Sequence, residues 1–198
     1  MTFIHPTVDV SDTAKIGDGC TIWHNSQLRE DCIIGENVIV GRNVYIGNGV
    51  SVGGNCKIQN NAMIYEPATL EEGVFIGPGV IFTNDRFPRA VNPDKSQKTH
   101  EDWHPVGVTV REGASVGAGS VCIAPVEIGR WAFVAAGSTV TRNIPPFAIV
   151  AGSPATQIGW VGKAGVRLTK GKDNRFFCPE TGTEYYETNS NSLVEVQS

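Results

Sequence analysis

Every sixth residue over a long part of this chain is apolar. The positions from Val10 to Phe82 that lie six apart are all aliphatic or aromatic, and the same spacing resumes from Val110 to Val140. A helix repeats near 3.6 residues and a strand near 2.0, so neither explains a period of six. One short strand and one bend per six residues, with three such units in each 18-residue coil, predicts an all-β parallel β-helix.

The position two before each apolar residue carries a small residue or Val. Cys20, Cys32 and Cys56 occupy this position and Cys122 occupies an aliphatic one, which predicts that these cysteines are small buried side chains. Gly and Asn recur at the bends, where positive φ is tolerated. A sandwich of alternating strands is the alternative fold, but it predicts variable spacing and hairpin turns.

Length and charge limit the other possibilities. The 198 residues fit one domain, predicted at 1–160, with a C-terminal extension at 161–198. A net charge of -4 argues against nucleic acid as a partner, because binding a phosphate backbone needs excess Lys and Arg. Neither a signal-peptide pattern nor an apolar run of about 18 residues is present, so we expect a soluble cytoplasmic protein with no membrane partner.

The repeat is interrupted at 83–109 by a polar segment with three prolines. Long irregular loops in compact domains are often functional, so we predict a loop that covers substrate, with passive decoration as the alternative. Stacking of residues eighteen apart predicts two columns at the root of this loop. One column holds Glu30, Asn48, Glu66 and Asn84, and the other holds Arg29, Gly47, Tyr65 and Thr83. The bulky polar members indicate a pocket.

Several segments resemble the left-handed hexapeptide-repeat superfamily, most of whose known members are trimeric acyltransferases. They include "IWHNSQLRE" (22–30), "FTNDRFPRA" (82–90) and "AGSPATQIGWV" (151–161). Within that superfamily the chain is most similar to bacterial N-acetyltransferases of nucleotide-linked 3-amino sugars, above all those acting on UDP-2-acetamido-3-amino-2,3-dideoxy-glucuronate in lipopolysaccharide O-antigen biosynthesis. The resemblance implies a left-handed β-helix, acetyl-CoA as co-substrate with no metal, and a homotrimer with its site between subunits.

The resemblance also implies roles for individual residues. Asn84 matches the catalytic position that orients the sugar amine, which attacks the thioester without a side-chain base; His104 is the alternative base. Arg86 and Arg89 would hold the hexuronate carboxylate or the diphosphate. The full substrate-binding set is His24, Arg29, Tyr65, Glu66, Arg86 and Arg89. For coenzyme A, the implied residues are Ala118, Ala136 and Gly137 along pantetheine and Arg142 at a phosphate, in a segment (142–175) rich in basic residues.

Other substrates and functions remain open at this point. A dTDP-3-amino-3,6-dideoxyhexose would keep the chemistry and change the acceptor, and a non-catalytic scaffold trimer would keep only the fold. The metal-dependent carbonic anhydrase relatives need three His at one zinc, and the four His of this chain do not fit that spacing.

The C-terminal segment departs from the resembling group, whose members often end in a zinc-ribbon-like tail. Ala164 and Thr181 stand where Cys would, and Cys178 alone cannot form a four-ligand zinc site. We therefore expect a metal-free tail that is disordered beyond Glu187, where the sequence is low in hydrophobicity.

Overall fold

A computed structural model describes residues 1–188 and 192–196. It confirms the parallel β-helix: the strands of successive coils pair eighteen residues apart, as in Ile46 with Ile64 and Ile64 with Phe82. Its body is built from three parallel sheets, each forming one side of the prism. Apart from a 3-10 turn at His100–Asp102, the described residues contain no helix. This part of the chain therefore has no helix that is long and apolar enough to cross a membrane.

The strands are short because each coil must turn after every side. The first sheet holds Phe3–Ile4, Thr21–Ile22, Ile39–Val40, Lys57–Ile58, Phe75–Ile76, Ser115–Val116, Phe133–Val134, Ala148–Ala151 and, antiparallel to the last, Thr156–Trp160. The second holds Asp9–Val10, Gln27–Leu28, Tyr45–Ile46, Met63–Ile64, Ile81–Phe82, Val121–Cys122 and Thr139–Val140. The third holds Lys15–Ile16, Ile33–Ile34, Ser51–Val52, Thr69–Leu70, Val108–Val110 and Val126–Ile128. We call the turns that follow these sheets the first, second and third corners.

The core is the axis of the prism, filled by the six-residue apolar positions and the small residues beside them. The predicted burial of Cys20, Cys32, Cys56 and Cys122 is confirmed, since each thiol is fully enclosed. Burial raises the pKa of Cys32 to about 11 and that of Cys122 to about 12. These thiols therefore stay protonated and inert at neutral pH.

The long insertion does not disturb the register on either side of it. Leu70 pairs with Val110 across the gap, so the coil resumes on top of the one that preceded the loop. Arg111 clamps this junction: its guanidinium donates to Glu71 at 2.7 Å and to Glu127 at 2.6 Å. Three consecutive coils are thus connected at the third corner by one side chain.

The C-terminal segment closes the end of the prism with a small antiparallel sheet of Thr169–Lys170, Arg175–Phe177, Glu184–Glu187 and Leu193–Glu195. Tyr185 and Leu193 are buried, and the Tyr185 ring meets Phe147 edge-on at a centroid distance of 5.4 Å. The expected disorder beyond Glu187 is therefore wrong for residues 192–196, because a buried Leu193 and strand pairing hold them. Residues 189–191 and 197–198 lie outside the described residues, and the boundary at 160/161 remains a prediction.

Candidate functional site

The long loop is anchored on the second corner at both ends. The Val106 amide donates to the Asn84 carbonyl oxygen at 3.0 Å, and the Ala124 amide donates to Thr83 Oγ1 at 3.0 Å. On its return the chain passes so close to Pro67 that a Cβ on Gly107 would lie 2.2 Å from the Pro67 carbonyl oxygen. Only glycine allows this approach, which brings the loop down onto the coil surface.

Local hydrogen bonds give the loop a defined shape. The Asp102 carboxylate accepts from the Thr99 amide at 2.9 Å and from its hydroxyl at 3.1 Å, which fixes the 3-10 turn. The His100 and Trp103 rings then lie edge to face with centroids 6.3 Å apart. The turn presents both rings toward the second corner.

Between this turn and the second corner lies a cavity of about 550 Å³. Its walls come from three successive coils and from the loop: Arg29, Asn48, Gly49, Glu66, Pro67, His100, Trp103 and Pro105. A space of this size, apolar on the loop side and polar on the coil side, has the form of a small-molecule site. The prediction that the loop covers a pocket at its root fits this geometry.

Charges on the coil side are only partly paired. Arg29 Nε donates to Glu30 Oε2 at 2.7 Å and its Nη1 donates to the Tyr45 hydroxyl at 3.4 Å. The pKa of the Glu30 carboxyl is lowered by a backbone hydrogen bond and by Arg29. The pKa of the Tyr45 hydroxyl is raised, first by burial and then by the negative charge of Glu66. The Arg29 guanidinium thus pairs with Glu30, whereas the negative charge of Glu66 contributes to the raised pKa of Tyr45.

Glu66 bends back toward the coil below it. Its Oε2 lies over Gly47, where a Cβ would come within 2.1 Å of that oxygen. Glu66 Oε2 is buried, and it has no hydrogen-bond partner within residues 1–188 and 192–196. This oxygen is enclosed by protein atoms, so Glu66 lines the cavity with other atoms of its side chain.

Only two of the substrate-binding residues named from the sequence, Arg29 and Glu66, line this cavity. The Tyr65 ring instead packs on Tyr45, with ring centroids 5.0 Å apart, and is partly exposed. Asn84 is half-buried in the same column as Glu66, one coil above it, but it is not part of the cavity wall.

The other three substrate residues lie elsewhere. Arg86 stacks over Phe87 and Arg89 donates to the Pro88 carbonyl at 2.8 Å, both on the exposed part of the loop. His24 lies at the first corner, where its ring stacks on His5 with centroids 3.5 Å apart. Within one chain these three residues lie away from the cavity, and their assignment to substrate in a site between subunits remains a prediction.

The structure adds His100 and Trp103, which were missed from the sequence, and Asn48, which was assigned to the pocket column but not to substrate binding. Asn48 was placed in the correct column, and its position directly below Glu66 could have been used. Nothing in the sequence indicated His100 and Trp103, because loop residues outside the repeat have no periodicity from which to infer neighbours. His104, the alternative base, is exposed and is not in the wall of this cavity.

The residues expected to bind coenzyme A are divided between two corners. Ala118 and Ala136 stack at the first corner, and the Gly137 amide donates to the Ala118 carbonyl at 2.8 Å. Their small side chains leave a smooth, exposed strip of backbone. Arg142 is exposed at the second corner instead. The local basic excess is also reduced, since Lys163 pairs with Glu195 at 2.5 Å and Arg175 with Glu184 at 2.7 Å.

In the part of the chain that the structure describes, no three His, Cys, Asp or Glu side chains are grouped so that they could hold a metal ion.

Two family models match the repeat region. The bacterial transferase hexapeptide family (six repeats) matches residues 13–48 and 49–84, and the hexapeptide repeat of succinyl-transferase matches 107–142. The chain belongs to the hexapeptide-repeat superfamily of left-handed β-helix acyltransferases.

Curated relatives of this superfamily match over part of the chain. A dTDP-3-amino-3,6-dideoxy-alpha-D-galactopyranose 3-N-acetyltransferase from Aneurinibacillus thermoaerophilus is 45% identical over 76 residues, 38% of this chain and 38% of its own length. A serine acetyltransferase from Buchnera aphidicola subsp. Schizaphis graminum is 38% identical over 85 residues, 42% of this chain and 31% of its own length. The chain thus spans about a third of the length of these relatives.

Solved structures agree on the fold. A hexapeptide transferase family protein from Anaplasma phagocytophilum has a TM-score of 0.55 at 20% identity, covering 80% of this chain and 81% of that one. The polySia specific acetyltransferase NeuO has a TM-score of 0.54 at 17% identity, covering 84% and 89%. At this identity the likeness establishes the shared architecture.

Proposed function

We propose that the protein is an N-acetyltransferase that moves acetyl from acetyl-CoA to the 3-amino group of a nucleotide-linked amino sugar, UDP-2-acetamido-3-amino-2,3-dideoxy-glucuronate. The observation that carries the proposal is the cavity of about 550 Å³ between the loop turn and the second corner, which Glu66 lines one coil below Asn84. Membership of an acyltransferase superfamily supplies the reaction class. The 45% identity to a 3-amino-sugar N-acetyltransferase supports the acceptor class.

The chemistry needs an amine held in place more than it needs a strong base. A neutral amine attacks the thioester carbonyl carbon, the carbon–sulfur bond breaks, and the departing thiolate, whose thiol has a pKa of about 8.5, takes the proton from nitrogen. Desolvation under the loop lowers the pKa of an ammonium group and so increases its neutral fraction. Asn84, one coil above Glu66, would orient the amine.

A trimer would complete the site. Phe3, Ile39, Phe75 and Phe133 are exposed along the outer face of the first sheet. They alternate there with Thr21, Lys57 and Ser115, so this face offers apolar and polar side chains for contact with a second subunit. In such an assembly the smooth strip at Ala118 and Ala136 on one subunit would face the second corner of its neighbour. Residues that are separated in one chain, including His24, Arg86, Arg89 and Arg142, would then contribute from two subunits.

The test is release of free thiol from acetyl-CoA in the presence of candidate acceptors. UDP-2-acetamido-3-amino-2,3-dideoxy-glucuronate should give release, and L-serine should not. Absence of release with every nucleotide amino sugar would contradict the proposal, and a lack of any coenzyme A effect on the melting temperature would favour a non-catalytic scaffold.

The matched stretch of the Aneurinibacillus enzyme favours a second acceptor, a dTDP-3-amino-3,6-dideoxyhexose. The same assay with UDP- and dTDP-linked 3-amino sugars separates the two acceptors. A higher kcat/KM with the dTDP sugar would reassign the substrate and leave the reaction class unchanged.

A further inference from the structure

The first corner of the prism carries a second pocket, of about 230 Å³, lined by Trp23, His24, Arg42 and Asn60. We call it the first-corner pocket. Trp23 is 42% exposed, although it is among the largest side chains of the chain. Gly41 stands one coil above it and has no side chain to fill the column. A pocket smaller than the usual 300–1,000 Å³ of a whole ligand site would hold one part of a ligand.

Aromatic contacts hold the rings of this pocket in place. The Trp23 ring packs against Phe3 with centroids 5.5 Å apart, and it lies within 7° of parallel to the His24 ring. His24 is in turn stacked on His5 at 3.5 Å. Because these rings are already ordered, a flat ligand ring can stack on the exposed indole with little further loss of side-chain entropy.

The polar side of the pocket offers hydrogen-bond donors and a positive charge. Within residues 1–188 and 192–196, the Arg42 guanidinium forms no ion pair. Asn60 Oδ1 accepts from the Arg42 amide at 2.9 Å, which turns the Asn60 amide nitrogen outward as a donor. A guanidinium and an amide donor suit phosphate oxygens. Together with the indole, they fit a nucleobase that carries a diphosphate.

The first-corner pocket lies at the same height on the prism as the cavity at the second corner. Arg42 and Asn48 belong to one coil, and Asn60 and Glu66 belong to the next. A threefold axis parallel to the prism keeps this height, so in the trimer proposed above the pocket of one subunit would face the cavity of its neighbour. Ala118, in the strip expected to bind coenzyme A, lies on a later coil of the same corner.

We propose that the first-corner pocket binds the nucleoside diphosphate of the acceptor, with the base stacked on Trp23 and the phosphates at Arg42, while the sugar occupies the second-corner cavity of the adjacent subunit. The inference rests on the proposed function and names the residues that select a nucleotide-linked sugar over a free one. Coenzyme A also contains a nucleoside diphosphate. The shared height of pocket and cavity favours the acceptor as the source.

The experiment uses UDP without a sugar as the probe, with dTDP as a second probe, and measures dissociation constants of the full chain by calorimetry near pH 7. Trp23→Ala should weaken UDP binding about tenfold, and Trp23→Phe should restore most of it because a stacking surface remains. Arg42→Met should weaken UDP binding about tenfold or more, and Arg42→Lys should recover part of it. Tyr186→Ala, which removes an exposed aromatic ring of the C-terminal sheet, should leave it unchanged.

Tryptophan fluorescence locates the base among the four tryptophans of the chain. UDP should quench the wild-type emission and should cause little quenching in Trp23→Phe. Quenching that persists in Trp23→Phe would overturn the inference, because it would place the base beside another indole, such as Trp103 in the cavity. This readout does not depend on the folding of Trp23→Ala.

Wild-type UDP affinity in both Trp23→Ala and Arg42→Met would also overturn the inference, as would a wild-type protein that binds neither UDP nor dTDP. The affinity for coenzyme A should be the same in these variants as in the wild type. A loss of coenzyme A affinity in place of UDP affinity would assign the pocket to coenzyme A and contradict the proposal. Failure of the proposed function is seen separately, as no thiol release from acetyl-CoA with any amino sugar by a protein that still binds UDP at Trp23.

Discussion

Asn84 and Val106 are joined by a backbone hydrogen bond of 3.0 Å, which closes the long loop at its base. The segment that interrupts the repeat is therefore a closed loop that leaves and rejoins the prism at one corner. The coils before and after it keep their register. The loop lies over the second corner, where its turn at His100–Asp102 covers the cavity. The column of Asn84 and Glu66 lies at the junction between prism and loop.

Asn84→Ala should lower turnover by about tenfold or more if Asn84 orients the nucleophile. The effect should appear in kcat, because an orienting contact matters most in the transition state. Asn48→Ala is the comparison: Asn48 lies in the same column but lines the cavity, so its loss should mainly raise KM. Steady-state thiol release measures both. Near-normal kcat in Asn84→Ala would remove Asn84 from the catalytic machinery.

The six-residue period predicted most of the prism because each inward position is forced by its neighbours above and below. Ile46 and Ile64 could be paired from spacing alone, and the Glu66–Asn84 column followed from the same rule. The rule also places His24 and Arg29 at successive corners of one chain, and their assignment to substrate remains a prediction. Residues about six apart lie on successive corners, and only residues eighteen apart stack.

Outside the repeat the sequence gives little geometric information. Trp103 reaches the cavity through a 3-10 turn whose hydrogen bonds join Thr99 and Asp102, and no period indicates such a turn. In the tail, low hydrophobicity was interpreted as disorder. The segment is nevertheless ordered around Leu193, because this buried side chain and its strand partner Glu187 suffice to add an edge strand.

Two cysteines in the core should respond differently to serine. Cys20 Sγ donates to the Gly35 carbonyl at 3.1 Å, in the same way as Ser26 Oγ donates to the Gly41 carbonyl at 2.7 Å. Cys20→Ser should therefore be nearly neutral. Cys122 stands in the aliphatic column between Phe82 and Val140, where a hydroxyl meets apolar neighbours, so Cys122→Ser should cost about 1–3 kcal/mol.

Urea unfolding of both variants measures this difference in free energy of unfolding. Cys122→Ala provides the control, since it removes the thiol without adding a polar atom. Equal losses of unfolding free energy in Cys20→Ser and Cys122→Ser would show that a hydrogen bond to the Gly35 carbonyl does not stabilise a serine at position 20.

The Arg111 clamp predicts a pH dependence. The hydrogen bond from Arg111, followed by one from the Glu112 amide, lowers the pKa of the Glu71 carboxyl. A carboxyl whose pKa is lower in the folded state stabilises the protein above its unfolded pKa of about 4.3, and this stabilisation is lost as the pH falls through the folded pKa. Arg111→Met should therefore lower the melting temperature at pH 7 and have a smaller effect in strong acid.

Differential scanning fluorimetry from pH 3 to pH 8 follows the difference between Arg111→Met and the wild type. Arg86→Met serves as a comparison, because the Arg86 guanidinium stacks over the Phe87 ring on the exposed part of the loop. A difference that stays constant across this range would contradict a role for the ionised Glu71.

Tyr185 anchors the C-terminal sheet to the prism through two distinct contacts. Its hydroxyl accepts a hydrogen bond from the Lys163 amide at 3.1 Å, and its ring packs edge-on against Phe147. Tyr185→Phe removes only the first contact and should cost about 1 kcal/mol. Tyr185→Ala also opens a cavity beside Phe147 and should cost about 3–5 kcal/mol. Tyr186→Phe, at the exposed neighbour, should change little. Because both contacts belong to one ring, a Tyr185→Ala protein as stable as Tyr185→Phe would mean that the sheet does not pack on the prism in solution.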